Sequence, residues 1–295
     1  MKRILFVMLL MLAAPSVGSF FSTLAQTPAP QPPPKVLRIG REEVKPYVDA
    51  AHVKVETEWV AIFAKANWPV HSIAMTSMSG PPEAWFVSGY DSFAAIEKEN
   101  QEFEKHPTLS ADVARLGKLD NELLHGLRGI IATLDEELSY RPAVNLAQVR
   151  YFWVETFRVR PGHYAEFAQH RRIINAAHEK ANIDEHWAVY YVEAGMPAGT
   201  VLVFHPLKSL KEVDQFPGMH GTAYAAALGA ENQKKMNELQ AAYTLSLESN
   251  YFAINPQMSY PAKELIAADP AFWKPKPVAK PAATKKPTEK PGGGQ

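Results

Sequence analysis

The sequence predicts an α+β fold in which one β-α-β-β-α-β unit occurs twice along the chain. Three observations support this prediction. The chain aligns with itself at a nearly constant offset, the apolar residues of each copy switch between period two and a period near 3.6, and both copies close on the same short motif. The first copy spans residues 36–142 and the second spans residues 143–262, and each is long enough for a small domain.

The internal repeat is the strongest of these observations. An offset of 115 residues superposes identical residues, and an offset of 117 then places AWFVSGYDSF (84–93) over VLVFHPLKSL (201–210). Both copies close on Ser-Tyr, at residues 139–140 and 259–260. The identical pairs are Val44 with Val159, Pro46 with Pro161, Asn67 with Asn182, His71 with His186 and Gly80 with Gly195. An offset that is kept over a long stretch, with an insertion at a turn, indicates a duplicated unit.

The second copy shows the element order most clearly. Residues 147–159 (AQVRYFWVETFRV) alternate as a strand does, and Arg160-Pro161-Gly162 predicts a turn. From Tyr164 an apolar stripe with helical spacing predicts a helix. The remaining elements are strands at 186–194 and 200–204, a helical region broken at 216–218, and a strand at 243–252.

The first copy repeats this order. Its elements are a strand at 36–44, a helix with His52, Val55, Trp59, Ile62 and Ala66 in one stripe, strands at 71–79 and 84–88, a helical region broken by Pro107, and a strand at 129–136 whose LDEEL end is also compatible with a helix. The pattern is the split βαβ, or ferredoxin-like, arrangement. Its sheet has one face without a helical cover, and two such sheets in one chain can cover each other.

The two ends of the chain differ from this core in composition. Residues 1–25 read as an export signal with cleavage before Gln26, and an uncleaved N-terminal anchor is the alternative. Residues 26–35 and 263–295 are rich in Pro or in Pro and Lys, which predicts a disordered linker and a disordered tail. The lysine-rich tail is either a solvated terminus or a weak contact with anionic envelope polymers. We therefore expect a periplasmic or extracellular protein with no transmembrane segment after cleavage.

Composition excludes several classes of function. The absence of cysteine rules out disulfides and thiolate metal sites, and the balance of 31 basic and 31 acidic residues gives no indication of nucleic-acid binding. Serine-hydrolase, Walker and dinucleotide-binding motifs are absent from suitable positions.

The chain resembles the dimeric α/β-barrel superfamily. The motif RVRPGHYAEF (158–167) is similar to the strand-turn-helix opening of NIPSNAP-like and antibiotic-biosynthesis monooxygenase-like domains, and of exported bacterial proteins with no assigned activity. Together with the duplication, which tandem relatives such as chlorite dismutases share, the resemblance covers about residues 36–260. It implies two tandem ferredoxin-like repeats that form a pseudo-dimeric α/β barrel with a cavity between sheets and helices. It does not imply one reaction.

Haem is one cofactor that this resemblance allows, and it needs an axial ligand, usually His. His106 and His220 each follow the second helical segment of a copy, but a His next to Pro or Gly is more typical of a turn. The Asn-Trp-His set of haem-degrading monooxygenases and the Gly-rich Asp motif of dye-decolourising peroxidases are both absent. The cofactor therefore stays unknown.

A metal site is not expected from the histidine pattern. His163, His170, His178 and His186 are seven or eight residues apart, which does not bring helical side chains to one point. His170 lies in the apolar stripe, so packing explains it better than metal binding does.

A small-molecule pocket is predicted from one face of the first strand of each copy. Glu155 interrupts the apolar face that carries Trp153, and the equivalent face of the first copy carries Arg38 and Glu42. If this face lines the barrel, these four residues, with Tyr190, supply aromatic walls and a few charges. The alternatives are an Arg–Glu pair across the interface between the copies and, one step further, a Glu general base.

His71 and His186 are interpreted as structural residues, because both copies keep them between a helix end and a strand start. A hydrogen bond at the helix C-terminus would explain them. Three hypotheses of function follow: an exported protein that binds a small molecule, a monooxygenase-type oxidoreductase that is cofactor-free or uses haem, and an envelope interaction module that uses the tail.

Overall fold

Eight antiparallel strands close into one barrel in the order β1-β3-β2-β8-β5-β7-β6-β4. The structure, a computed structural model, describes residues 29–215 and 221–274. The first copy contributes β1 Val36–Val44, α1 Asp49–Lys65, β2 Ile73–Ser77, β3 Glu83–Tyr90, α2 Phe93–Glu104, α3 Pro107–Asn121 and β4 Leu124–Tyr140. The predicted fold class is confirmed: two ferredoxin-like units form one pseudo-dimeric barrel.

The second copy begins with a short 3-10 helix, Leu146–Gln148. Its other elements are β5 Tyr151–Val159, α4 Tyr164–Ala181, β6 Trp187–Ala194, β7 Thr200–Leu207, α5 Lys211–Asp214, α6 Thr222–Tyr243 and β8 Thr244–Ile254. Pro107 is the first residue of α3, where its missing N–H costs no helical bond. The LDEEL segment is strand, since β4 runs on to Tyr140. The break predicted at 216–218 lies outside the described residues.

The strand pairs β4–β6 and β2–β8, which we call the two seams, join the copies to each other. At one seam the Ser139 hydroxyl accepts from the backbone N–H of Val189 at 2.9 Å, and at the other the Ser259 hydroxyl accepts from that of Ala74 at 2.9 Å. The adjacent tyrosines are also equivalent: Tyr140 donates to the carbonyl of Ile183 at 3.2 Å, and Tyr260 to that of Trp68 at 3.0 Å. The repeated Ser-Tyr motif therefore fastens both seams in the same way.

The barrel interior is filled by side chains. Leu37, Ile39, Ile130 and Val154 belong to one apolar cluster there, together with Trp85, Leu202, Phe204 and Phe252. The helices pack on the outer faces of the two half-barrels, each over an apolar cluster of its own. Space for a ligand is thus found between sheet and helices rather than inside the barrel.

The disorder predicted next to the barrel is wrong for the parts that the structure describes. Gln31 pairs with Val144 through backbone hydrogen bonds, within the predicted linker. Residues 263–274, assigned to the tail, hold helices α7 Lys263–Ala268 and α8 Pro270–Trp273. Trp273 is buried and donates to the carbonyl of Ala147 at 3.1 Å. Leu265, Ile266, Phe272 and Trp273 belong to one apolar cluster, which fixes this segment.

No helix within residues 29–215 and 221–274 has the length and apolarity needed to cross a membrane. The signal of residues 1–25 and the lysine-rich residues 275–295 lie outside the described part of the chain.

We expect Ser139→Ala and Ser259→Ala to destabilise the protein to a similar extent. Each change leaves a buried backbone N–H without its acceptor, at a cost of about 1–3 kcal/mol. Urea unfolding measures the free energy of unfolding, and Ser246→Ala on the exposed part of β8 is the control. A loss confined to one of the two seam variants would contradict the equivalence of the seams.

Candidate functional site

The strand faces that the sequence singled out lie under the helices. Glu42 on β1 contacts His52 of α1, and Phe157 on β5 packs against Phe167 of α4. The neighbouring residues of these strands, among them Val154, point into the filled barrel. The mixed face therefore does not line the barrel interior, because both faces of each strand are buried and the apolar one fills the interior.

Four ionisable side chains meet between β1, α1 and α3 of the first copy, and we call them the acidic cluster: Glu42, His52, Glu56 and Asp120. Each offers one ligand atom, and these atoms all lie within 4.8 Å of one another. His52 Nε2 is 2.8 Å from Glu42 Oε2 and 3.7 Å from Asp120 Oδ1. All four residues are buried, with 3–7% of their surface exposed. Three carboxyl groups and one imidazole thus lie together in a buried space.

This crowding raises the pKa values of two of the carboxyl groups. Burial, then the charges of Glu42 and Asp120, raise the pKa of Glu56 to about 10. Burial and the charge of Glu42 raise the pKa of Asp120 to about 7, against the lowering effect of His52. Glu56 Oε1 and Asp120 Oδ1 are buried and have no hydrogen-bond partner.

A cavity of about 260 Å³ lies in the same layer, and we call it the first-copy cavity. Arg38 lies at its edge and pairs with the buried Glu99 at 2.6 Å. Glu99 also accepts hydrogen bonds from Trp68 Nε1 at 2.9 Å and from the Tyr90 hydroxyl at 2.6 Å. The other lining residues are Phe63, Val70, Ser72, Ser88, Asn100, Phe103, Val113 and Tyr260. Aromatic walls thus surround one ordered ion pair.

The second copy carries a different buried polar group. Glu155 Oε2 is 3.1 Å from His205 Nε2 and 3.9 Å from Arg171 Nη1. The Trp153 ring stacks on His205 at 4.3 Å and donates to the Ser249 hydroxyl. Burial raises the pKa of Glu155, but the hydrogen bond from His205 and the positive charges nearby outweigh it and lower the pKa. Burial lowers the pKa of His205.

The five predicted site residues do not form one pocket. Arg38 lies at the first-copy cavity, Glu42 in the acidic cluster, and Trp153 and Glu155 beside His205. Tyr190 lies in the barrel interior and donates to the carbonyl of Pro34 at 2.8 Å.

Arg38 does not form the Arg–Glu pair across the copies, since it pairs with Glu99 of its own copy. Glu56 and Asp120 were not among the residues predicted from the sequence. The spacing of His52 and Glu56, one helical turn apart in an otherwise apolar stripe, is the signal that could have found the cluster.

His71 and His186 lie between helix and strand, as expected, but contact the closing segment of the other copy. The His71 ring packs on Tyr260 at 4.8 Å, and His186 Nδ1 lies 2.6 Å from the carbonyl oxygen of Arg141. These contacts take the place of the expected hydrogen bond at a helix C-terminus.

The other histidines do not converge on one point. His163 pairs with Glu166, His170 contacts Tyr243, and His178 contacts the carbonyl of Ile174. His220 lies outside the described residues.

We expect the free energy of unfolding to fall as the pH drops from about 6.5 to about 4. Burial, and then the charge of Arg171, lower the pKa of His170 to about 4. Between these pH values the unfolded chain therefore binds a proton at this histidine and the folded chain does not. The slope from this group is at most about 1.4 kcal/mol per pH unit. In urea unfolding over this pH range, His170→Gln should flatten the profile. Parallel profiles of the variant and the native chain would contradict this assignment.

Comparison with known proteins identifies the fold. No protein family matches the sequence, and no curated protein matches it. A putative monooxygenase from Fusobacterium nucleatum subsp. nucleatum superposes with a TM-score of 0.50 at 10% identity, over 75% of this chain and 93% of that one. An anthrone oxidase-like protein gives a TM-score of 0.49 at 12% identity, over 75% and 91% of the two chains.

A mutant chlorite dismutase from Candidatus Nitrospira defluvii gives a TM-score of 0.42 at 12% identity, over 79% of this chain and 94% of that one. At such low identity the likeness concerns the fold alone. The closed eight-stranded barrel, together with the likeness to the putative monooxygenase, shows that the chain has the dimeric α/β-barrel fold, with both units in one polypeptide.

Proposed function

We propose that this protein binds a small organic molecule in the first-copy cavity. The observation that carries the proposal is an aromatic-walled space of about 260 Å³ with an ordered ion pair at its edge. Ligand sites are typically concave and mainly apolar, with a few fixed polar groups that orient the ligand. A cavity of this size suits a compact ligand of one or two rings.

The polar edge of the cavity is held in place before any ligand binds. Glu99 receives hydrogen bonds from Trp68 and Tyr90 in addition to its contact with Arg38, so its carboxylate has little freedom. The Arg38 side chain is 37% exposed and can still donate to a ligand. Fixed polar groups reduce the entropy that binding costs. A planar ligand with a hydrogen-bond acceptor fits this arrangement.

The aromatic side chains of the cavity form a connected wall. Phe63 lies 6.5 Å from Trp68 and 6.3 Å from Tyr260, and Trp68 lies 5.8 Å from Phe103, measured between ring centroids. Aromatic rings at such distances contact edge to face or offset, which is the favourable geometry. A planar ligand would add one more ring to this wall.

A monooxygenase-type activity is the second candidate, supported by the putative monooxygenase that shares the fold at a TM-score of 0.50. At the first-copy cavity the cofactor-free form fits better than the haem-using form. His106 Nε2 is 3.2 Å from Glu102, and His106 is not among the residues that line the cavity. No other histidine of the described part of the chain lines it either. No histidine of the described residues therefore lies at this cavity to serve as the axial ligand of haem.

We expect native mass spectrometry and thermal shift assays to detect a bound planar compound. In a screen of small aromatic acids, phenols and amides, hits should raise the melting temperature of the native chain. Ser88→Leu fills the cavity and should abolish the shift, and Arg38→Gln should reduce affinity about tenfold, as loss of a charged hydrogen bond does. Glu155→Gln, a buried carboxylate outside this cavity, is the control.

An absorption spectrum of the same sample distinguishes the two candidates. A Soret band would replace the cofactor-free view with a haem protein. If no compound binds, or if Ser88→Leu binds as well as the native chain, the cavity is not the binding site.

Export is a further part of the proposal and rests on residues 1–25. When the chain is expressed in an exporting bacterium, we expect the mature protein to begin at Gln26, which N-terminal sequencing can check. A chain that keeps Met1 and stays with the membrane fraction would favour the uncleaved anchor. Contact of the lysine-rich tail with anionic envelope polymers is the third hypothesis. It fails if deletion of residues 275–295 leaves envelope fractionation unchanged.

A further inference from the structure

The acidic cluster has no positive partner of its own apart from His52. Among the described residues, no Lys or Arg lies within ion-pair distance of Glu42, Glu56 or Asp120. Buried carboxylates normally pair with a cation, share protons or bind a metal ion, because an unpaired buried charge is costly. The two oxygens without a hydrogen-bond partner, Glu56 Oε1 and Asp120 Oδ1, belong to residues that are 4% and 5% exposed.

The second copy shows that the fold does not require a carboxylate cluster at this place. By the repeat offset of 115, Glu42 corresponds to Phe157, His52 to Phe167 and Glu56 to Arg171. Phe157 and Phe167 pack ring to ring at 5.3 Å, and Phe167 contacts Tyr243 at the same distance. In the second copy two aromatic rings thus take the places of Glu42 and His52, and a buried arginine takes the place of Glu56. The fold therefore does not require a group of buried carboxylates here.

We propose that Glu42, His52, Glu56 and Asp120 bind one divalent transition-metal cation. Three elements of the fold supply the ligands: β1 gives Glu42, α1 gives His52 and Glu56 one turn apart, and α3 gives Asp120 in its last turn. Ligand atoms that lie within 4.8 Å of one another can reach a common ion at about 2.0–2.2 Å after small rotations.

The ligand set indicates the class of metal. Carboxylate oxygens suit Mg²⁺, Ca²⁺ and Mn²⁺, whereas an imidazole suits Zn²⁺, Fe²⁺ and other borderline cations. Calcium takes six to eight oxygen ligands, which is more than four side chains supply. Magnesium usually keeps several of its waters, for which a buried site of four side chains leaves little room. Mn²⁺, Fe²⁺ and Zn²⁺ match the mixture of three carboxylates and one imidazole. One such ion reduces the charge of three ionised carboxylates and a neutral imidazole from −3 to −1, which favours their burial.

The test uses the full chain, treated with a chelator that is then removed. Calorimetric titration and native mass spectrometry with MnCl₂ and ZnCl₂ should give one ion per chain, bound at least tenfold more tightly than Mg²⁺ or Ca²⁺. Glu56→Gln and Asp120→Asn keep the shape of the side chains and should each weaken binding at least tenfold. Glu155→Gln, the matched buried Glu of the second copy, which also contacts a histidine, should bind as the native chain does.

Stability separates loss of the site from loss of the fold. Without metal, Glu56→Gln should be at least as stable as the native chain because one of three crowded carboxyl groups is removed, while its gain in melting temperature on adding metal should be lost. Absence of binding to the native chain at millimolar Mn²⁺ and Zn²⁺ overturns the proposal. So does stoichiometric binding that persists in both Glu56→Gln and Asp120→Asn, since exposed histidines would then hold the ion.

Discussion

Pairing of the two copies along the seams is the interaction on which the rest of the structure depends. A single βαββαβ unit would leave an uncovered sheet face and two open edges, which are sites of aggregation. The strand pairs β4–β6 and β2–β8 remove both problems within one chain. Because Ser139 and Ser259 fasten the seams equivalently, the backbone beside the two seams is alike in both halves. Side chains can then differ only where closure does not need them, in the layer between sheet and helices.

The duplication acts as an internal control on that layer. The first copy keeps a carboxylate at position 42 of β1, where the second copy has Phe157 in an aromatic core. The second copy keeps Glu155 at the place of Gly40, two positions along the same strand face. The charged Arg38 of the first copy likewise corresponds to the aromatic Trp153 of the second copy. These differences are concentrated where the strands meet the helices, while the interior of the barrel is apolar in both halves.

The sequence predicted the architecture well because the spacing of apolar residues and the internal repeat can both be recognised from the order of residues alone. It could not tell which strand face points inward. A barrel covered by helices buries both faces of each strand, so the alternation of apolar and polar residues no longer distinguishes them. The acidic cluster depends on Asp120 reaching α1 and β1 across more than fifty residues of chain, and spacing carries no trace of that contact. Likewise, the prediction of disorder from the composition of residues 263–295 missed the apolar side chains at its start, where Trp273 packs with Leu265 and Phe272.

The acidic cluster and the first-copy cavity are neighbours but not one site. Arg38 and Glu42 lie four residues apart on the same face of β1, roughly 13 Å at about 3.3 Å per residue, too far for one ion to touch a ligand beside Arg38. A cation in the cluster would instead hold α1 and α3 against the sheet. The second copy supports this role: Arg171, at the position of Glu56, places its guanidinium 5.1 Å from the Trp187 ring and beside Glu155. The second copy thus supplies a buried positive charge through Arg171, and the first copy would obtain one by binding a metal ion from solution.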